Sequence, residues 1–191
     1  MNQNIINQII SDIHSIQKDQ IVISIDGRCA SGKTTLADYL SKQLDANLFH
    51  MDDYFLRVEQ RTKERYEEAG GNVDRERFMD EIGSKLHAKD DIVYQPFDCK
   101  TFTLKEKRVI KQTKITIVEG SYSMHAYLRN LYDYSIYLTI DPTLQLERIK
   151  KRNPNKVDVF IEKWIPLEEK YFQVNHLDKI CNILVKAEEM I

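Results

Sequence analysis

The segment Gly27-Arg28-Cys29-Ala30-Ser31-Gly32-Lys33-Thr34 follows the pattern G-x-x-x-x-G-K-[ST] without deviation, and Thr35 follows it. Such a segment suits a loop whose backbone N–H groups turn inward onto phosphate oxygens, the glycines permitting the turn and the close approach. Lys33 then reaches the β- and γ-phosphates of a nucleotide, and the Thr34 hydroxyl binds Mg²⁺. Carboxylates stand at two further places. Asp52 and Asp53 come just after the run Asn47-Leu48-Phe49-His50, and Glu119 just after Ile115-Thr116-Ile117-Val118. At the carboxyl edge of a sheet one carboxylate can take a proton from an attacking hydroxyl, and another can hold Mg²⁺ directly or through water. Arg148 and Arg152 lie four apart, on one face of a helix, where they could clamp the charge of a transferring phosphoryl group. Each feature has a plainer reading: a solvated turn at Asp52-Asp53, a surface turn at Glu119-Gly120, a solvated basic helix face at the arginines. His50 reads as structural.

These residues need elements to position them. Ile5, Ile6, Ile9, Ile10, Ile13 and Ile16 recur at helical spacing, which predicts an amphipathic helix over about 2–17 packed on the rest of the chain. Ile21-Val22-Ile23-Ser24-Ile25 reads as a buried parallel strand leading into Gly27, and residues 34–44 as the helix that follows. Residues 47–50, 115–118 and 135–140 are further strands, and 180–185 a last one. Asp141-Pro142 starts a helix that runs to the cluster Arg148, Lys150, Lys151 and Arg152. Residues 57–72 read as a mobile polar loop, Asp74 as the cap of a helix to about residue 86, and 96–103 as irregular. Strands alternating with helices predict one α/β domain over 1–191, three layers around a central parallel sheet, with a small helical lid at about 150–172.

The composition narrows the partners. The net charge is −2 with the two signs interspersed, so no basic field points to nucleic acid. Cys29, Cys99 and Cys181 are odd in number and widely spaced, which argues against a disulfide framework or zinc site and for a cytoplasmic setting. No apolar stretch suits a membrane span. A small-molecule substrate is the expected partner, and a homo-oligomer is compatible with the sequence.

With these residues placed, the chain resembles the uridine kinase / phosphoribulokinase family of P-loop kinases, over nearly everything after the first helix. The resemblance rests on the loop from Ile25 to Thr35, on Met51-Asp52-Asp53-Tyr54-Phe55, on Gly71-Asn72-Val73-Asp74, on Gln95-Pro96-Phe97-Asp98 and on Val118-Glu119-Gly120. It implies a P-loop NTPase fold, ATP and Mg²⁺, and transfer of the γ-phosphoryl to a primary hydroxyl, with the 5′-hydroxyl of uridine or a related nucleoside first among acceptors. Asp52 inherits the role of general base and Asp74 that of gripping sugar hydroxyls. Asp53, Phe55, Phe97 and Asp98 fall at the acceptor pocket, and Arg148 and Arg152 where lid arginines meet phosphates. The segment 152–164 is shorter than the family's lid, and Phe55 and Phe102 stand where polar groups read a pyrimidine. Another metabolite as acceptor, or a nucleotide-dependent switch, therefore stays open. No N-K-x-D signature for guanine is present.

Overall fold

The computed structural model describes residues 2–190. Its strands are β1 (Ile21–Gly27), β2 (Asn47–His50), β3 (Ile92–Tyr94), β4 (Phe97–Asp98), β5 (Thr103–Leu104), β6 (Arg108–Ile110), β7 (Ile115–Glu119), β8 (Tyr134–Thr139) and β9 (Ile183–Lys186). Its α-helices are α1 (Gln3–Ser15), α2 (Lys33–Gln43), α3 (Lys63–Glu67), α4 (Arg75–Glu81), α5 (Pro142–Arg152), α6 (Val157–Val159), α7 (Ile165–Asn175) and α8 (Leu177–Ile180).

Five strands form a parallel sheet in the order β2-β7-β1-β8-β9. β1 lies at its centre and is buried along its whole length, as an unbroken apolar run between two covered faces must be. Its alternation divides the core. Ile21, Ile23 and Ile25 pack with Ile6, Ile9 and Ile13 of α1 and with Leu36 and Leu40 of α2. Val22, on the opposite face, packs with Phe49, Tyr54, Phe78, Tyr171 and Phe172. The expected three-layer α/β architecture is thus present, with helices on both faces of a parallel sheet. No helix among the described residues is long and apolar enough to cross a membrane.

α1 and β2 fall where the periodicity predicts them. α5 begins as its sequence predicts: the Asp141 carboxylate accepts from the N–H groups of Thr143 and Leu144, and Pro142 occupies the first turn, where no donor is needed. Asp74 caps α4 through Arg77 N–H, but α4 ends at Glu81, and a 3₁₀ turn, Gly83–Lys85, carries the chain on.

Other expectations are corrected. Residues 57–72 are not a featureless loop. They hold a 3₁₀ turn, Val58–Gln60, and α3, and Arg65 ties them together by donating to the Gly71 and Val73 carbonyls and to Glu76. Residues 96–103 contain all but the last residue of the β4–β5 hairpin, and β3 pairs with β6 in a second antiparallel ribbon. The last strand starts at Ile183, because α8 occupies 177–180. The segment 150–172, expected to form a lid, is helical for most of its length. α5 extends to Arg152, and helical chain runs from α6 through a π-helical turn, Phe160–Trp164, into α7 and so to Asn175. Pro166 sits in the first turn of α7, where its lack of an N–H is tolerated.

Candidate active site

The carboxyl ends of β1, β2 and β7 converge, because Ile25 is in register with Glu119 and Glu119 with His50. Ligands of open α/β sheets bind outside such an edge. The turn out of β1 requires glycine at position 27: φ is +142°, and a Cβ there would stand 2.0 Å from the Leu138 carbonyl oxygen. Gly32 has φ +105° with nothing within 4 Å of where its Cβ would be, so the loop keeps open space before α2.

The Lys33 side chain is buried and folds back across the loop, its ammonium donating to the carbonyls of Gly27 (2.8 Å) and Arg28 (2.9 Å). Thr34 Oγ1 donates to Glu119 Oε1 at 2.9 Å, and Glu119 Oε2 lies 2.7 Å from His50 Nδ1. Glu119 thereby joins the start of α2 to the end of β2. That hydrogen bond is the main reason the His50 pKa is raised. Asp52 opens on the same space. Its pKa is raised by burial first and by the Glu119 charge next, while Lys33 and His50 pull it back down.

The loop is braced from two further elements. Arg148 of α5 donates to the Ala30 and Ser31 carbonyls (3.2 and 3.4 Å), and Gln145 to the Cys29 carbonyl (3.1 Å). From α7, the buried Glu168 accepts from Cys29 N–H (3.0 Å) and Ser121 Oγ (2.8 Å), and Glu169 pairs with Arg28. Burial and then the Glu168 charge push the Cys29 thiol up to about 12, so it is held as a neutral thiol. Beneath the loop, Asp26 is fully buried and accepts from Gly27, Tyr122 and Met124 N–H and from Tyr171 Oη.

Above this edge lies a cavity of about 680 Å³. Its wall brings together Cys29, Ala30, Gly32, Lys33, Thr34, Thr35, Asp52, Phe55, Glu119, Arg148 and Arg152, all expected from the sequence. Gly27, Arg28 and Ser31 belong to the loop behind that wall. Asp53, Asp74, Phe97 and Asp98 are outside it. Asp74 is 2% exposed, caps α4 with one oxygen and faces Arg57 (3.7 Å) and Arg77 (3.4 Å) with the other. Asp98 binds its own turn through Lys100 N–H.

Sequence reasoning missed Arg61, Tyr66, Asn72, Phe160 and Glu168 in the wall, and treated Trp164 as packing and His50 as structural. The segment 57–72 and the helical chain after Arg152 thus contribute to the wall, whereas His50 lies behind it, against Glu119. Lys163 stands 4.6 Å from the Tyr66 ring centroid and 4.7 Å from that of Trp164, bridging lid and wall.

The donors present suit a nucleotide with a hard cation. The hydroxyl and carboxylates of Thr34, Glu119 and Asp52 are all oxygen ligands, the kind Mg²⁺ takes. The Ser31 hydroxyl is buried in the loop with no partner, a polar group left to be satisfied there.

A family model described as an AAA domain matches residues 23–169. Uridine kinase-like protein 4 of Arabidopsis thaliana is 27% identical over 146 residues, which cover 72% of this chain and 31% of that protein. The chain thus spans less than a third of the length of that curated relative. A possible uridine kinase from Bacillus stearothermophilus superposes with a TM-score of 0.76 at 23% identity, over 95% of this chain and 97% of that one. D-glycerate 3-kinase from Cryptococcus neoformans var. grubii serotype A does so with a TM-score of 0.61 at 15% identity, over 96% and 93%. At these identities the two solved structures speak for the fold.

Proposed function

The chain belongs to the family described as an AAA domain, and from its likeness to uridine kinase-like proteins we propose that it transfers the γ-phosphoryl group of ATP to a hydroxyl of a small molecule. The observation that carries this reading is the meeting of Lys33, Thr34, Glu119 and Asp52 at one end of a cavity that extends well beyond them.

Lys33 and the loop amides bind the phosphates, and Thr34 and Glu119 would hold Mg²⁺. The ion supplies charge neutralisation to the phosphate oxygens. Asp52 accepts the proton of the acceptor hydroxyl as its oxygen attacks. A carboxylate held above its ordinary pKa is a stronger base than one at that value. Arg148 and Arg152 face the charge that spreads during transfer. Phe160 and Trp164 of the lid exclude water, which otherwise competes as acceptor. A nucleotide switch needs neither Asp52 nor the space beyond it.

The names of the Arabidopsis and Bacillus relatives favour uridine or a related nucleoside as acceptor. A second reading, an alcohol other than a ribonucleoside, is favoured by Asp74: the carboxylate expected to grip the ribose diol lies outside the cavity wall, one oxygen capping α4 and the other facing Arg57 and Arg77 without a hydrogen bond. The kinase reading is tested by ADP release over a panel of alcohols with wild type and Asp52→Asn. The expected result is acceptor-dependent release that falls roughly 100-fold or more in the variant, the scale of a general base. ATP hydrolysis that no acceptor stimulates and Asp52→Asn leaves intact rejects it.

A further inference from the structure

Divided by element, the cavity has two halves. Cys29, Ala30, Gly32 to Thr35, Arg148, Arg152, Lys156 and the helical residues Phe160 and Trp164 bound the nucleotide side. Phe55, Leu56, Arg61, Tyr66, Asn72, Cys99 and Phe102, all from the chain between β2 and β6, bound the acceptor side. Two polar side chains of that second half, Arg61 and Asn72, each keep a donor nitrogen without a partner.

Arg61 is the first. Its Nε and one Nη each donate to the Leu56 carbonyl at 3.0 Å, and its guanidinium lies over the Phe102 ring, 5.0 Å from the centroid. The group is fixed on two sides with its other Nη uncommitted. The acids beside this segment are taken elsewhere: Glu59 and Asp74 by Arg57, Glu68 by Arg75, Asp98 by Lys105. Among the described residues no carboxylate lies within ion-pair distance of Arg61. Asn72 is the second. It is 5% exposed, it lines the cavity, and its buried Nδ2 has no acceptor in hydrogen-bonding geometry, the Tyr122 hydroxyl being the polar group beside it. A buried donor left unsatisfied is costly, and a fixed guanidinium beside it favours a ligand that brings negatively charged oxygens.

We propose that the acceptor is an alcohol that carries an anionic group, a carboxylate or a phosphate monoester, and that Arg61 and Asn72 seat that group while Asp52 takes the proton of the hydroxyl. This rests on the kinase reading and adds a substrate class to it. The aromatic faces of Phe55, Tyr66 and Phe102 then enclose the carbon skeleton between the two ends.

The test compares matched acceptors that differ in the anion: D-glycerate with glycerol, ribose 5-phosphate with ribose, and uridine as a neutral nucleoside. ADP release is measured with wild type, Arg61→Leu and Arg61→Lys, and binding of each acceptor by calorimetry to protein loaded with a non-hydrolysable ATP analogue. At least one anionic member should exceed its neutral counterpart by roughly tenfold or more in kcat/KM or in affinity. Arg61→Leu should erase that preference, and Arg61→Lys should restore part of it, which a merely misfolded variant would not do. Preference for glycerate alone identifies a carboxylate ligand, and for ribose 5-phosphate alone a phosphate. Turnover of neutral acceptors with no anionic preference, or a preference that survives Arg61→Leu, overturns the anion site and leaves the kinase reading standing. Absence of binding by either anionic member at millimolar concentration overturns it too, whether or not ATP is consumed. Anionic binding that depends on Arg61 without acceptor-stimulated ADP release supports the site and counts against the kinase.

Discussion

On the nucleotide side of the cavity, Lys33, Thr34, Glu119 and Arg148 are each held by a second protein group. On the acceptor side, Asn72 has a buried donor with nothing to bond, and Arg61 has one guanidinium nitrogen to spare. The first half is made of strand ends and two helices of eleven residues each, α2 and α5; the second of 3₁₀ turns, a five-residue helix and two-residue strands. The difference follows the two tasks. Phosphoryl transfer from ATP makes the same demand whatever the acceptor, so its groups can be pre-set by protein contacts. Acceptor recognition must come from groups that the protein alone leaves unsatisfied, because only those lose energy when the wrong molecule binds.

The sharpest break in the pre-set half is Lys33→Ala. It removes the charge aimed at the phosphates and also frees the Gly27 and Arg28 carbonyls that the ammonium now binds. ADP release should fall roughly 100- to 1,000-fold, the scale of losing one stabilising donor at a transferring group. A coupled assay at saturating ATP measures it, and near-normal turnover would remove the loop from the chemistry.

Next in size is a pH effect under the loop. Burial raises the Asp26 pKa from 3.8 to about 6, against the lowering by its donors and by Lys33. The folded state therefore holds this proton more tightly than the unfolded chain. Stability from this group is greatest below pH 4 and falls as pH rises from about 4 to 6, by about 3 kcal/mol in all. Asp26→Asn should flatten that interval in urea titrations at successive pH values. An unchanged slope would mean that the donors around Asp26 offset its burial completely.

How much of this was legible in the sequence depends on distance along the chain. The phosphate loop is eight contiguous residues, and β1, β7 and β8 are apolar runs, so both could be read locally. Asp52 and Glu119 were legible because each ends such a run. Glu168 was not: its partner, Cys29 N–H, is 139 residues away, and nothing near Trp164-Ile165-Pro166-Leu167-Glu168 signals a buried carboxylate. β3 and β6 were missed because each is three residues long with its central valine exposed, which leaves no alternation to detect. Asp74 was read correctly as a cap. That its other oxygen faces Arg57 and Arg77, outside the cavity wall, follows from the fold of residues 57–77, which spacing does not reveal.

The two lid-side arginines should separate, although their spacing makes them look alike. Arg148 binds the Ala30 and Ser31 carbonyls, so Arg148→Ala loosens the loop and should weaken ATP binding as well as kcat. Arg152 makes no bond to the loop and lies 6.0 Å from the Phe160 ring centroid. Arg152→Ala should lower kcat by roughly tenfold while ATP affinity moves little, because the charge it meets develops during transfer. ATP titration by fluorescence alongside steady-state kinetics distinguishes them; equal effects on affinity would make Arg152 a ground-state contact.

The smallest effect should come from Asp53, and it bears most directly on which carboxylate is the base. Asp52 and Asp53 are neighbours in one 3₁₀ turn, Met51–Tyr54, and both have raised pKa values with burial as the leading cause. Their surroundings differ. Asp52 lines the cavity and feels Glu119 and Lys33, the groups of the transfer site. Asp53 lies outside the wall, where His50, Arg108, Lys105 and Arg77 lower its pKa; of these the His50 and Lys105 side chains are 39% and 48% exposed and Arg108 is exposed. Its backbone carbonyl, not its carboxylate, is what Arg77 grips, at 2.9 Å. Asp53→Asn keeps that bond and removes a charge whose partners are screened, so kcat/KM should stay within about threefold of wild type. A loss in Asp53→Asn as large as that in Asp52→Asn would show that the pair shares the proton. The division between a pre-set transfer half and an unsatisfied acceptor half would then have to be redrawn through this turn.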